Sequence, residues 1–245
     1  HGSDFDEYFN SKSKLSKKFI KFLYSRVNHH AVLIEGMQEQ LLSITSSKNI
    51  HVINNFFEDF DECNVRKRNE NQSSYSISIC FLSSICRSKG VFDAIDAFKI
   101  FNCKHKKSEL LIAGSSIDDE FGDSKSYDEE ILQETKFEKN ISYLGELNKT
   151  QKYNLLRKTD IFCLPSKFRS EAVPLAIIEA MAAGCVIVVY DHKYLSKIVR
   201  NGKNGFVILE ISPEELAKCF LNLATNKSLR DQISKFNKTH AYTNF

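Results

Sequence analysis

From Ser76 to about Thr225 the chain alternates short apolar runs with helix-forming segments, strictly one after another. SISICFL, ELLIAG, ISYLG, IFCLP, CVIVVY and GFVIL read as strands. GVFDAIDAFKIF, EEILQETK, TQKYNLLRK, PLAIIEAMAA and the segment opened by Ser212-Pro213-Glu214-Glu215 read as helices. Strands separated by helices cannot pair as hairpins, so each connection is a crossover that returns the next strand parallel to the last. The near-continuous apolar character of the runs fits strands covered on both faces. The expected fold class is α/β, a doubly wound parallel sheet of Rossmann-like type. Such sheets place their ligands at the carboxyl ends of the strands.

The most informative of these units is CLPSKFRSEAVPLAIIEAMAAGCVIVVY, residues 163–190. It contains a strand, a loop carrying Glu171, a helix expected over 174–183, and a second strand. Pro174 suits a first helical position because its missing N–H would be unpaired there, and Gly184 suits a left-handed residue closing the helix. The free N–H groups and positive dipole end of that helix point into the loop of Glu171, where a diphosphate is favoured. Glu179 lies on the second turn. Two acids at this spacing are, taken alone, more often a solvated loop acid and an exposed helix acid than a site.

The surrounding residues give the pair its meaning. Pro165-Ser166 after an apolar strand, Glu171, Pro174, and Glu179 followed by Ala180-Met181-Ala182-x-Gly184 closely resemble the donor-site signature of retaining GT-B glycosyltransferases, in particular family 4. The resemblance implies that Glu171 contacts hydroxyls of the transferred sugar and Glu179 binds ribose hydroxyls. It also implies that Ser166 and the backbone of Ala172, Val173, Pro174 and Leu175 meet sugar or phosphate. The usual glycine after the first glutamate is Ala172 here, which restricts backbone approach slightly. Lys89-Gly90, at the end of the loop after strand 76–82, matches the family's Lys-Gly step, whose lysine pairs with the donor diphosphate. Judged alone, Lys89 is as well read as a solvated loop lysine. The Gly-Arg pair upstream is replaced by Ser83-Ser84, so the phosphate-binding arginine has no residue at its usual place, and Arg87 is a substitute to examine. Gly114 and Gly145 match glycines lining the donor cleft and the base, although both also read as plain strand-to-loop glycines. His1-Gly2 resembles a His-Gly step whose histidine touches the donor sugar.

The resemblance also divides the chain. Residues 1–60 resemble the last part of an N-terminal acceptor domain, and the polar run 61–75 reads as a linker. Residues 76–225 resemble a complete donor-binding Rossmann-like domain, and 226–245 a C-terminal helix that stops without a cap. The chain therefore reads as a fragment of GT-B type with a truncated N-terminal domain. Within 15–27, LSKKFIKFLYSRV places Leu15, Phe19, Phe22 and Leu23 on one helical face and lysines largely on the other. MQEQLLSI is expected as a helix between the strands AVLIEG and HVINNF.

Composition sets the outer limits. At 245 residues, with 42% hydrophobic and 27% charged, the chain is an ordinary globular sequence able to bury a core. A formal charge of +3 argues only weakly for nucleic acid, and no cluster of arginine and aromatic residues suggests such a partner. Seven cysteines without a C-x-x-C pair read as buried thiols of a reducing, cytoplasmic compartment rather than as disulfides or a zinc site. No run of about 18 apolar residues marks a membrane span. Asp118-Asp119 is not an Asp-x-Asp metal motif, and a solvated pair is the plainer reading. Asp191 and His192 read as surface loop residues. Lys104-His105-Lys106-Lys107 suits a helix C-terminus, whereas Lys14, Lys17, Lys18 and Lys21 are better placed for peripheral contact with a membrane carrying lipid-linked acceptors.

The sequence therefore points to a metal-independent transferase that moves a sugar from a nucleotide-sugar, with UDP-sugar the commonest donor by resemblance, to a glycan or lipid-linked acceptor in polysaccharide or glycolipid synthesis. No other cofactor is implied. The alternative is a donor-binding module without turnover.

Overall fold

A computed structural model describes residues 4–58 and 77–245. The linker 61–75 and His1 lie outside the described residues. Two sheets are present among the described residues. The N-terminal residues form α1 (Phe5–Asn10), α2 (Lys14–Ser25), and the strands β1 (His30–Val32) and β2 (Ile50–Val52), which pair in parallel. Ser13 caps α2 by accepting from the Ser16 N–H. Residues 35–40 make a 3-10 turn instead of the expected α-helix. In that tighter winding residues three apart align, which buries both Met37 and Gln40.

The helix α2 does not pack through its apolar stripe. Its apolar stripe faces outward, with Leu15 80% and Phe19 61% exposed. The helix packs instead through Ile20 and Tyr24 onto a small core of Phe9, Val32, Met37, Leu41, Ile44 and Ile50. Lys17 and Lys21 lie over the Phe9 ring. Ala172 joins this core from the other unit.

The larger sheet contains β3 (Ile77–Leu82), β4 (Ser108–Ala113), β5 (Ile141–Tyr143), β6 (Ile161–Leu164), β7 (Val186–Tyr190) and β8 (Gly205–Ile208). All pairings are parallel, in the order β5-β4-β3-β6-β7-β8. This is the doubly wound order, and its direction reverses between β3 and β6. The helices are α3 (Val91–Lys104), α4 (Ser124–Phe137), α5 (Lys149–Lys158), α6 (Leu175–Ala183), α7 (Leu195–Ile198), α8 (Pro213–Thr225) and α9 (Lys227–Asn244). They flank the sheet: α3 packs on α8, while α5 and α9 pack on α6. Every residue of β6 and β7 is buried, as strands covered on both faces require.

Local chemistry sets the helix ends. Asn148 and Gln151 bond each other's backbone N–H in a capping box at the start of α5. Ser212 caps α8, with Pro213 at its first position. Pro174 is the N-cap of α6 rather than its first helical residue, so the helix starts one position later than expected. Gly184 closes α6 in the left-handed conformation, φ 91°. Buried Asn237 of α9 donates to the carbonyls of Cys185, at 2.7 Å, and Asn204, at 2.8 Å, which locks the last helix to the β7 and β8 approaches.

Candidate functional site

The loops after β3 and β6 meet where the sheet order reverses, and their contact depends on Gly90. This residue has φ 79°, and a Cβ there would stand 2.1 Å from the Pro165 carbonyl oxygen. Only glycine allows the two loops to approach so closely without strain. The Lys167 N–H then donates to the Ser88 carbonyl at 2.7 Å. Lys89, on a 3-10 turn spanning Arg87–Lys89, is carried to the switch point of the sheet by this packing.

Lys89 Nζ donates to Glu171 Oε2 at 2.9 Å, and the Ser166 hydroxyl donates to the same oxygen. The ammonium also lies 4.3 Å from the centre of the Phe168 ring. The side chains of Lys89 and Glu171 are only 14% and 6% exposed, so each charge depends on the other for the solvation it has lost. The next turn of chain enters α6, whose N-terminus has no side-chain cap. Glu179 sits inside that helix, equally buried, with its carboxylate paired to Lys152 of α5. Four residues of helical rise, about 6 Å, separate it from the start of the helix.

The remaining predicted residues fall around this centre. Ser83 follows β3 directly, and the Gly114 backbone lies so close that a Cβ there would meet the Ser83 carbonyl oxygen at 1.8 Å. Gly114 N–H donates to the Gly145 carbonyl at 2.9 Å, which joins the ends of β4 and β5. Ser84 lies between Ser83 and the buried Ile85 in the same loop. Ala172 and Val173 are buried, whereas Leu175 is 42% exposed. The Ala172 methyl that replaces the usual glycine fills the small N-terminal core, and the Val173 carbonyl accepts from Asn55 at 2.8 Å. Arg87 is turned to other work: its guanidinium donates to both oxygens of Glu130 at 2.7 Å and stacks on Phe92. It offers no ready substitute for the missing arginine.

Several residues of the site carry no motif. Asp119 accepts from the Ser88 N–H at 2.8 Å, the Phe121 N–H at 2.9 Å and the Tyr127 hydroxyl. Burial, the largest single influence, would raise its carboxyl, but the bonds from Tyr127 and Ser88 together hold it well below 3.8. The acid read as solvated therefore fixes the residue next to Lys89. His192, read as a surface residue, donates through Nε2 to the Phe168 carbonyl at 2.9 Å. From the N-terminal unit, Glu7 pairs with Arg169 and Lys193, and Asp4 accepts from the Ser170 hydroxyl at 3.0 Å. The Lys193 and Arg169 bonds hold the Glu7 carboxyl below its usual value. The loop leading to Glu171 is thus fixed from both units. Among the described residues, no three His, Cys, Asp or Glu side chains are placed to hold a metal ion, and no helix is long and apolar enough to cross a membrane.

A doubly wound parallel sheet with charged side chains gathered at its switch point defines an α/β ligand-binding fold whose cleft opens at the strand carboxyl ends. Residues 65–240 match the family described as glycosyl transferases group 1, and the chain belongs to that family. An uncharacterised glycosyltransferase of Methanocaldococcus jannaschii is 22% identical over 258 residues, covering 100% of this chain and 63% of its own length. The poly(glycerol-phosphate) alpha-glucosyltransferase of Bacillus subtilis is 26% identical over 67% of this chain and 23% of its own length. The chain thus spans less than two thirds of either relative. Among solved structures, Anabaena HepE in complex with UDP and glucose superposes with TM-score 0.76 at 19% identity, covering 96% of this chain and 64% of that one. S. aureus TarM in a complex containing UDP gives TM-score 0.71 at 20% identity, covering 96% of this chain and 45% of that one. Both have the GT-B Rossmann-like architecture of the larger sheet.

Proposed function

We propose that the chain is the donor-binding part of a retaining, metal-independent glycosyltransferase of family 4, which moves a sugar from a nucleotide diphosphate, UDP-sugar first among the candidates, to an acceptor hydroxyl. The observation that carries this reading is the Lys89–Glu171–Ser166 cluster at the switch point, set beside the uncapped start of α6. As the glycosidic bond loosens, negative charge grows on the leaving diphosphate. Lys89 and the first N–H groups of α6 are then worth more in the transition state than in the ground state. Glu171 receives hydroxyls of the sugar and Glu179 those of the ribose. Ser83, Ser84, Gly114 and Gly145 form the floor of the cleft, with Ala172, Val173, Pro174 and Leu175 presenting backbone to the donor. His1 is assigned to the sugar by resemblance. Attack from the face of the departing diphosphate would retain configuration. One oxygen of Asp118 and both oxygens of Asp119 already accept from backbone N–H groups and Tyr127, which favours a reaction without a metal ion there.

The division 1–60, 61–75, 76–225 and 226–245 belongs to the same proposal, with the acceptor chosen by the first segment and whatever adjoins it. The acceptor is a glycan or lipid-linked hydroxyl of cell-surface polymer or glycolipid synthesis at the cytoplasmic face of the membrane. The outward stripe of Leu15, Phe19, Phe22 and Leu23, beside Lys14, Lys18 and Lys21, suits an anionic lipid surface. Flotation with phosphatidylglycerol vesicles and not with phosphatidylcholine vesicles is expected, and Phe19→Asp should abolish it.

Titration calorimetry with UDP-, GDP- and ADP-sugars, run beside a donor-hydrolysis and transfer assay, tests the main reading. Binding with turnover and a retained anomer supports it. Binding without either reaction favours a donor-binding module. No binding removes both.

A further inference from the structure

Lys152 belongs to none of the motifs, yet it is the partner of buried Glu179. The capping box of Asn148 and Gln151 fixes the first turn of α5, and the Lys152 N–H closes that turn onto the Asn148 carbonyl at 2.9 Å. From there its ammonium reaches the carboxylate of Glu179, whose side chain is 5% exposed, while the lysine side chain is 25% exposed and so remains accessible from outside. Its neighbour Lys149 turns away to Glu58. The two buried glutamates are thus served by different lysines: Lys89 comes from the β3 loop to Glu171 and Lys152 from α5 to Glu179.

An ionised carboxylate only accepts hydrogen bonds, and an ammonium only donates them. Each hydroxyl of a vicinal diol does both, with one O–H to give and two lone pairs to fill. Glu179 alone can take the two O–H donors but leaves the hydroxyl lone pairs without a protein donor. The ammonium has three donors, of which the carboxylate takes one. We infer that Lys152 and Glu179 act together as a diol-recognition pair, in which Lys152 donates to the ribose hydroxyl oxygens and makes the site selective for ribonucleotides over 2′-deoxyribonucleotides. This rests on the reading of the cleft as a nucleotide-sugar site and adds a specificity-determining residue to it. Loss of the 2′-hydroxyl removes one hydrogen-bond partner from both groups at once, and a site built to hydrogen-bond a hydroxyl discriminates strongly against the analogue that lacks it.

The test is calorimetric titration of the 245-residue chain with UDP, GDP and ADP, followed by the 2′-deoxy form of whichever binds. The wild type should prefer the ribonucleotide by roughly tenfold or more, the loss expected for a hydrogen bond to a charged group. Lys152→Met, which keeps the length of the stem, should cut that preference at least threefold, and Lys152→Arg should restore it. Lys89→Met should weaken ribo and deoxy forms alike and leave their ratio unchanged, and thermal melting by circular dichroism checks that each variant is folded. A ratio unchanged in folded Lys152→Met overturns the inference while the nucleotide site stands. Failure of all three nucleotides to bind the wild type overturns the site itself.

Discussion

The two ends of the cleft are built differently, although both are organised around a buried glutamate paired with a lysine. Glu179 rides on a regular helix and meets one lysine from an adjacent helix. Glu171 hangs in a loop and is held by Lys89 and Ser166, while Phe168, Arg169 and Ser170 before it are tied to His192, Glu7 and Asp4. A helical position is maintained by its own backbone ladder, so a single partner suffices. A loop position needs long-range contacts, and here these come from three parts of the chain. The difference suits a division in which the nucleoside end is rigid and the sugar end is set by the assembled protein.

Perturbations of the loop end should therefore cost more than comparable ones at the helix end. Lys89→Met removes the cation assigned to the leaving diphosphate, and donor cleavage in a turnover assay should fall roughly a hundredfold or more. Glu179→Gln should by comparison raise the donor KM with a smaller change in kcat. Gly90→Ala forces a methyl against the Pro165 carbonyl at a left-handed position, so the β3 and β6 loops must separate. Destabilisation of about 3 kcal/mol is expected, read from denaturant unfolding, with Glu171 function lost before nucleotide binding.

Asp119→Asn acts one step further out by weakening the hold on Ser88, at about 1–2 kcal/mol. Because the folded carboxyl lies below 3.8, its contribution is complete above that pH and is lost as pH falls toward the folded value. The melting-temperature gap between wild type and Asp119→Asn should therefore be full at pH 7 and close progressively below pH 4. Glu7→Gln should have the smallest effect, since its pairs are exposed and solvent-screened. It is expected to weaken sugar-nucleotide binding at most a few-fold and to leave free nucleotide binding unchanged, by calorimetry.

The contrast also explains what was legible in the sequence. The alternation of apolar runs and helices led to the parallel sheet, because periodicity and crossover geometry are local and nearly obligatory. Glu171, Glu179, Lys89 and Ser166 were singled out by their resemblance to a family signature, and the structure places Lys89, Ser166 and Glu171 in contact. Lys152, Asp119, His192 and Glu7 were not found, because each acts on a partner distant in sequence and nothing in its own neighbourhood announces this. Asp119 was read as solvated because its three hydrogen-bond donors lie on Ser88, Phe121 and Tyr127, and only the folded loop brings Ser88 to it. The packing face of α2 was not legible for a related reason. An amphipathic pattern identifies a stripe but not what covers it, and here the packing falls to Ile20 and Tyr24.

The central claim is that Glu171 serves the sugar and Glu179 the nucleoside. Calorimetric titration of Glu171→Ala and Glu179→Ala with UDP and with a UDP-sugar measures this directly. The account predicts that Glu179→Ala weakens both ligands in the same proportion, whereas Glu171→Ala binds UDP like the wild type and loses the added affinity of the sugar. Equal losses for both ligands in both variants would contradict it.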